Sequence, residues 1–499
     1  MSRASVKTKG CLFIGGEWVP PTTGETHAVM NPATGESIED LEVASGTRED
    51  VDRAVTAAQK AYDEVWFDTT PRERSTLLFR LADAIEADCD ELARLETLNV
   101  GQPLAGSKSV ITDYIVDNLR YFAGAGRNLE GRSAGEYVRG FTSVIRREPL
   151  GVTAGIAPWN YPLEMAVWKL GPALAAGNTS IIKPARNTPL TTLRLAELAA
   201  DILPPGVLNV VTGRGSEVGD ALVRHPQVRL VSLTGDTATG RAISAAAAST
   251  VKRLHLELGG KAPVIVFADA DLDAVVETVR IGGYFNSGQD CTACCRVIAS
   301  IEIYEDLVER LAKAVRSIKV GDPQDAETEM GPVVSAAQRD NVAGFVDRAR
   351  EAGAEVMVGG ASIDGPGFFY EPTVIVNVAQ ESEIVQNEVF GPVVTVQSFT
   401  DEHEAVAMAN DCDYGLTASV WTADGPTGLR VARRLQYGFV GVNNHFIGAS
   451  EMPHGGCKQS GYGKDMSIYS LEDYTLIKHV NLALDYHAPF PQDYLGNTL

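Results

Sequence analysis

From residue 151 onward the chain repeats one local pattern: a short apolar run, closed by Gly, Pro or Asn, then a stretch with helical spacing. The runs are VTAGIAPWN, TSIIKPA, VLNVVTGRG, VRLVSLTGD and LHLELGG. A strand that is apolar on both faces must be covered on both, and parallel strands with helical crossovers meet that need. The pattern predicts a doubly wound α/β sheet with function at the carboxyl ends of its strands. A second α/β unit begins near Lys261, with PVIVFA, a helix over 272–287, RVIASIEIY and a helix over 304–318. It continues through strands near 393–398 and 438–443. The chain's 499 residues exceed what one hydrophobic core holds, so two or three domains are expected.

Ahead of this region, 49–66, 71–97 and about 107–125 have helical spacing, with Pro71 in a first-turn position. Residues 131–149 switch to β-branched alternation, which predicts a hairpin. Residues 476–484 (LIKHVNLAL) read as a strand that pairs with this hairpin or with another subunit. The formal net charge of −22 argues against nucleic acid or an anionic membrane as a partner. No run approaches the roughly 20 apolar residues of a membrane helix, and the basic N-terminus lacks the apolar segment of a secretory signal. Seven cysteines, an odd number, are too sparse for a disulfide scaffold and fit a reducing cytoplasm. Cys291, Cys294 and Cys295 cluster, but no second Cys/His pair stands at ligand spacing, so no metal is expected.

Three strand-end or turn-end residues stand out chemically. Cys291, in FNSGQDCTACCR, follows a Gly-containing turn whose backbone N–H groups suit a reactive thiolate. On composition alone Cys294 and Cys295 are equal candidates, and a buried inert thiol is the commoner fate. Glu257, in LHLELGGK, ends an apolar strand, a low-dielectric place where a general base becomes usable near neutral pH. A solvated or Lys-paired carboxylate fits the same position. Asn160, in APWNYP, either donates its amide to a developing oxyanion or caps the following helix. TGDTATG holds Gly235 and Gly240 in a turn that suits a phosphate, a weak signal alone. Lys183, ending SIIK, either reaches ribose or phosphate oxygens or is a solvated loop residue.

In this order, the strings resemble the aldehyde dehydrogenase superfamily. They include NPATGE (31–36), PWNYP (158–162), WKLGPALAAGN (168–178), KPA (183–185), TGDTATG (234–240), LELGGK (256–261), GQDC (288–291), EVFGPV (388–393) and PHGGCKQSGYGKD (453–465). The likeness spans roughly residues 12–480. It implies that fold: a Rossmann-like dinucleotide-binding domain over 1–128 and 150–258, an α/β catalytic domain over 259–464, and oligomerisation strands at 129–149 and 475–490. It selects Cys291 as the nucleophile that forms a thioester, Glu257 as the base that activates water for hydrolysis, and Asn160 as the oxyanion donor. Ala157, Pro158, Trp159, Lys183, Gly235, Gly240, Glu388 and Phe390 match cofactor positions. A family relative kept only for binding would have no reason to retain all three catalytic residues.

Two positions depart from the family pattern. Arg186 replaces the Glu that accepts hydrogen bonds from the adenosine ribose, and a guanidinium attracts the 2′-phosphate of NADP. Asp236 replaces Ser in the pyrophosphate turn, and Arg186 and Asp236 are expected to form a compensating pair. The resemblance implies NAD as cofactor, with NADP open through Arg186. Within the superfamily the chain resembles the bacterial 4-aminobutyraldehyde and betaine-aldehyde dehydrogenases, with His454 where Phe is more usual. That implies a small-molecule ω-aminoaldehyde substrate. Tyr161 and Trp168, seven apart on one helix, match channel positions or are ordinary helix core, and Asp113, Asp117, Glu164 and Glu451 are candidate amine anchors, although a solvated surface carboxylate is the commoner fate of such a residue. Gly448 suggests a wide channel mouth. An acidic semialdehyde would want an Arg at the mouth, and Arg120 reads as packing or surface. The family implies a homodimer or homotetramer, which would cover the edge strands.

Overall fold

The computed structural model describes residues 10–445 and 447–484. Residues 485–490 of the anticipated oligomerisation strand, and the tail to 499, lie outside the described residues. All five apolar runs form strands: Val152–Ile156, Thr179–Lys183, Leu208–Val210, Val228–Thr234 and Arg253–Glu257. Each pairs in parallel with its neighbours, in the spatial order 253, 228, 152, 179, 208. Both faces are covered, which is why these runs are apolar without alternation. Short antiparallel strands finish the two edges. Gly461–Tyr462 lies beside Arg253–Glu257, and the hairpin Leu12–Ile14 and Glu17–Val19 lies beside Leu208–Val210.

A second sheet of seven strands runs Glu355–Val358, Thr373–Val376, Val393–Phe399, Arg296–Ser300, Pro263–Val266, Thr417–Trp421 and Phe439–Val442. Only its first pair is antiparallel. The hairpin at 131–149 forms as Arg132–Val138 and Phe141–Pro149. Thr475–Ala483 pairs along the second of these strands, from Thr475 opposite Pro149 to Ala483 opposite Phe141. The tail strand therefore finds its partner within its own chain.

Three expectations need correction. The helix expected over 71–97 is two helices, Pro71–Ala87 and Cys89–Val100, broken at Asp88. Arg194 clasps the Asp88 carboxylate with Nε and Nη2, both at 2.8 Å, and holds that turn. The helix expected over 272–287 stops at Gly282, and a tight turn over Phe285–Gly288 follows, with Asn286 and Ser287 left-handed at φ 49° and 57°. The stretch 319–392 contains a helix, Ala336–Glu351, and two strands of the second sheet that were not anticipated.

Strand register puts the functional positions level. Thr234 is opposite Glu257, Leu233 opposite Ile156, and Ile156 opposite Lys183. The motif ending in AGN is a local lock on this edge's other end. The helix Pro162–Ala176 stops at Gly177, whose φ of 96° suits glycine. Fully buried Asn178 then accepts from the N–H groups of Leu150 (2.6 Å) and Gly151 (3.0 Å) and donates to the carbonyls of Ala173 (3.2 Å) and Tyr474 (2.9 Å). One amide thus joins the exit of the hairpin, the first parallel strand and the entry to the last strand. Asn178→Ala takes this partner from the Leu150 and Gly151 N–H groups and the Tyr474 carbonyl, while the Ala173 carbonyl keeps the backbone N–H of residue 178 at 2.9 Å. It is expected to lower stability by about 2–4 kcal/mol, read as a fall in the urea midpoint, and an unchanged midpoint would refute this role.

Candidate active site

Cys291, Glu257 and Asn160 come from three separate segments. Glu257 is the last residue of its strand and is almost wholly buried. A Cβ at Gly260 would meet the Cys291 carbonyl at 2.1 Å, so the two glycines after the strand let the Cys291 loop lie directly on it. Asn160 follows the strand Val152–Ile156. Its Nδ2 donates to the Gln289 carbonyl at 3.0 Å, and its own carbonyl accepts from Nδ2 of Asn286 at 2.9 Å. It does not cap the next helix, whose N-cap is Tyr161. One amide N–H is therefore fixed by Gln289, and the other is available to an oxygen near Cys291. Gln289 is itself fixed, because its Oε1 accepts from the Val334 N–H at 2.9 Å.

Burial pushes the Cys291 thiol well above its usual range, and the charges of Glu257, Asp290 and Glu388 push the same way. Burial and the neighbouring carboxylates therefore oppose the thiolate that the turn-end N–H groups were expected to stabilise. His454 completes the cluster. Its Nε2 lies 3.5 Å from Oε1 of Glu257, and its ring packs on Trp168 with centroids 4.9 Å apart. Its backbone N–H donates to the Asp465 carbonyl at 2.9 Å. Burial works against the charged imidazole, but the contact with Glu257 and the charges of Asp465 and Asp290 outweigh it and raise the His454 pKa. Tyr161 donates from its hydroxyl to Oδ2 of Asp290 at 2.7 Å, and its ring stacks on Phe285 at 6.5 Å. Gln289 and Asp290 escaped the sequence reading although they stand inside the GQDC string. Their roles are contacts with segments far away along the chain.

The cofactor positions lie along the same edge. Burial alone pushes the Lys183 ammonium down to about 8, and its one described hydrogen bond goes to the Pro184 carbonyl at 2.8 Å. A buried ammonium with no carboxylate beside it calls for neutral oxygens such as ribose hydroxyls. Glu388 accepts from the Gly260 N–H at 2.8 Å, and burial pushes its carboxyl up to about 8. A Cβ at Gly259 would come within 2.2 Å of Oε2 of Glu388, so glycine is needed for this approach. Phe390 meets Trp159 edge-on at 5.1 Å. Ala157 and Pro158 line the loop between the strand and Trp159, and the Ala157 N–H donates to the Lys183 carbonyl at 3.0 Å. The Gly235 N–H donates to the Glu257 carbonyl at 3.1 Å, and Gly240 is buried on the following helix. These donors and this spacing fit a nicotinamide dinucleotide.

The compensating pair of Arg186 and Asp236 does not form. Asp236 caps the helix Thr237–Ala247, accepting from the N–H of Thr239 at 2.8 Å and its hydroxyl at 2.6 Å. Arg186 is exposed, and among the described residues its guanidinium makes no ion pair; its carbonyl is held by His27 at 3.0 Å. A local cap has satisfied the carboxylate that was expected to need a distant cation.

Of the substrate candidates, Tyr161 and Trp168 are buried beside the cluster. Burial, then the charge of Asp290, pushes the Glu164 carboxyl up to about 8. Asp113, Asp117 and Glu451 are exposed. Asp113 accepts from the Ser109 hydroxyl at 2.7 Å, and Asp117 accepts from the Ser450 hydroxyl at 2.6 Å, which brings Glu451 to the same surface. Gly448 is exposed, and a Cβ there would meet nothing within 4 Å. Arg120 is a surface residue paired with Asp83 and Glu86.

A doubly wound sheet carrying this edge defines an NAD(P)-dependent oxidoreductase that acts on aldehydes. The chain belongs to the aldehyde dehydrogenase family, whose model matches residues 18–480. It is 41% identical to the betaine aldehyde dehydrogenase of Bacillus subtilis over 94% of this chain and 96% of the relative. It is 44% identical to the phenylacetaldehyde dehydrogenase of Pseudomonas fluorescens, over 95% of each chain. Its fold superposes on the crystal structure of Staphylococcus aureus betaine aldehyde dehydrogenase in complex with NAD+, with a TM-score of 0.95, 39% identity and 98% of each chain covered.

The state of the thiol is open to direct measurement. In the cofactor-free protein, alkylation of Cys291 by iodoacetamide is expected to keep accelerating beyond pH 9, the ordinary thiol value. Glu257→Gln removes a negative neighbour and should move that profile to lower pH. A rate already at its plateau below pH 7 would show a resting thiolate instead.

Proposed function

We propose that this enzyme oxidises an ω-aminoaldehyde, such as 4-aminobutanal, to its acid through a thioester on Cys291. The observation that carries the reading is the meeting of Cys291, Glu257 and the oriented amide of Asn160 at one strand edge. Glu257 takes the thiol proton as sulfur adds to the carbonyl carbon, and the free N–H of Asn160 and the backbone N–H of Cys291 hold the oxyanion. NAD, when bound by Lys183, Glu388, Phe390 and the Gly235 turn, accepts the hydride. Glu257 releases the thiol proton to solvent and then takes a proton from water as the hydroxide oxygen adds to the thioester; it returns that proton to the Cys291 sulfur as the acid leaves and the thiol re-forms. NAD is preferred because the superposed relative is bound to NAD+; exposed Arg186 is the feature that would admit NADP.

For the substrate, the support is a channel of aromatic faces and acids. Tyr161, Phe285 and Trp168 supply the faces, and Glu164 and Asp290 lie inward. Asp117 and Glu451 add negative charge where Ser450 joins the helix Val116–Ala125. Betaine aldehyde, another cationic aldehyde, is the second reading, favoured by the relatives of that name. No disulfide is formed among the described residues, which suits a reducing compartment such as the cytoplasm. The three-stranded sheet leaves Tyr137, Ile477 and Leu482 more than half exposed, which supports assembly of a dimer or tetramer through it.

A kinetic panel tests the assignment. The kcat/KM for 4-aminobutanal should exceed that for butanal by about tenfold or more, because a hydrogen bond to a charged group contributes about 1.5–3 kcal/mol. Equal values remove the aminoaldehyde reading, and a preference for betaine aldehyde selects the second. NAD should outperform NADP on the same scale, and a strong NADP preference would sink the cofactor assignment. Separately, Asn160→Ala should lower kcat by about 10²–10³-fold, the loss expected for one oxyanion donor. A drop confined to KM would place Asn160 in binding alone.

A further inference from the structure

Glu257, Cys291 and His454 each turn one ligand atom toward a common point, and these atoms lie within 4.8 Å of one another. Nε2 of His454 and Oε1 of Glu257 are buried, make no conventional hydrogen bond among the described residues, and stand 3.5 Å apart. Nitrogen and oxygen ligands bound to one tetrahedral Zn²⁺ at about 2.0–2.1 Å stand about 3.4 Å apart. The His–Glu separation is therefore already that of a zinc site. A thiolate at about 2.3 Å from the metal stands about 3.6 Å from such neighbours, and the Cys291 sulfur, within 4.8 Å of both atoms, has to close by about 1 Å at most to reach that spacing. The carboxylates of Asp290 and Asp465 lie near the same cluster and favour a divalent cation. Stacking on Trp168 holds the imidazole plane. Among the described residues no other group of His, Cys, Asp and Glu is so arranged, and Cys294 and Cys295 take no part.

We propose that Glu257, Cys291 and His454 form an inhibitory binding site for a soft divalent cation, Zn²⁺ above all. The cation is not a resident cofactor. It binds as the Cys291 thiol and the Nε2–H of the charged His454 imidazole release their protons to solvent and metal–sulfur, metal–nitrogen and metal–oxygen bonds form, with no change in oxidation state, and the fourth position is left to water. His454 is the residue that makes the site, because the Phe more usual there offers no ligand. Binding ties up sulfur and carboxylate together, so both formation and hydrolysis of the thioester stop. That consequence rests on the roles proposed above for Cys291 and Glu257; the binding itself does not.

The test uses the whole enzyme with Co²⁺ as a spectroscopic probe and Zn²⁺ as the inhibitor. Co²⁺ should produce a thiolate-to-metal charge-transfer band that is absent in Cys291→Ser. In His454→Phe its dissociation constant should rise by more than about 100-fold, since losing even an outer partner of a metal ligand costs about 10–100-fold. Zn²⁺ should inhibit the wild type, with recovery on adding EDTA. The half-inhibiting concentration, taken relative to each variant's own rate, should rise by a similar factor in His454→Phe. His454→Gln, a polar replacement, serves as a second variant if the Phe form folds poorly. No cobalt band, or equal metal affinity in wild type and both variants, overturns the proposal. A band without inhibition would leave the metal site standing and overturn the roles given to Cys291 and Glu257.

Discussion

In the first sheet, parallel pairing sets Glu257 beside Thr234 and, one residue back along the strands, Leu233 beside Ile156 and Ile156 beside Lys183, and each functional segment leaves the sheet from that edge. Apolar faces on both sides do not by themselves prevent a slip of one residue. The charged ends do. Shifting Arg253–Glu257 inward would carry a carboxylate into the core, and shifting Thr179–Lys183 would do the same with an ammonium. Each displacement would take the charge from the contact it now has, His454 at 3.5 Å for Glu257 and the Pro184 carbonyl at 2.8 Å for Lys183, and costs several kcal/mol. The polar residues that carry the chemistry are thus also the stops that set the register, and Asn178 fixes the opposite end of the same strands.

Crowding of acids governs how the site works. Cys291 has Glu257, Asp290 and Glu388 near it, so a standing thiolate is disfavoured by burial and by charge together. A neutral thiol is less open to adventitious oxidation and alkylation, and it becomes a nucleophile only when a neighbour accepts its proton. The oriented amide of Asn160 works without such titration. Its geometry comes from Gln289, whose side chain reaches Val334 and so ties the oxyanion donor to the segment that leads into the helix Ala336–Glu351. The only buried cation described along the cofactor edge without an acidic partner is Lys183, so charge there is left uncompensated by the protein.

The doubly wound sheet was legible because doubly covered strands write themselves as unbroken apolar runs, as in TSIIK and RLVSL. The strands Glu17–Val19 and Glu36–Ala44 were not, because they are partly exposed and carry charges at positions that an apolar pattern does not register. Gly461–Tyr462 is two residues long and has no pattern at all. The break at Asp88 depends on Arg194, a contact no local window holds. At the site, motif strings marked Cys291, Glu257 and Asn160, while electrostatics misled the reading of Asp236: a long-range pair was inferred where a three-residue cap suffices. His454 stood out only as a departure, because its partner Glu257 is distant in sequence and adjacent in space.

The strand Gly461–Tyr462 closes the edge of a sheet whose opposite edge is Leu12–Ile14 and Glu17–Val19. The Tyr474 carbonyl, just beyond, completes the partners of Asn178. Ribosomal synthesis delivers these pieces at opposite ends of the journey. The early sheet emerges with one edge bare, and it waits in that state while the whole second α/β unit is made. Long-range closure of this kind slows folding, and a bare edge invites pairing with other chains. Assembly of this chain is therefore a problem of timing, because the sheet stays unfinished until Gly461–Tyr462 and Tyr474 have been made.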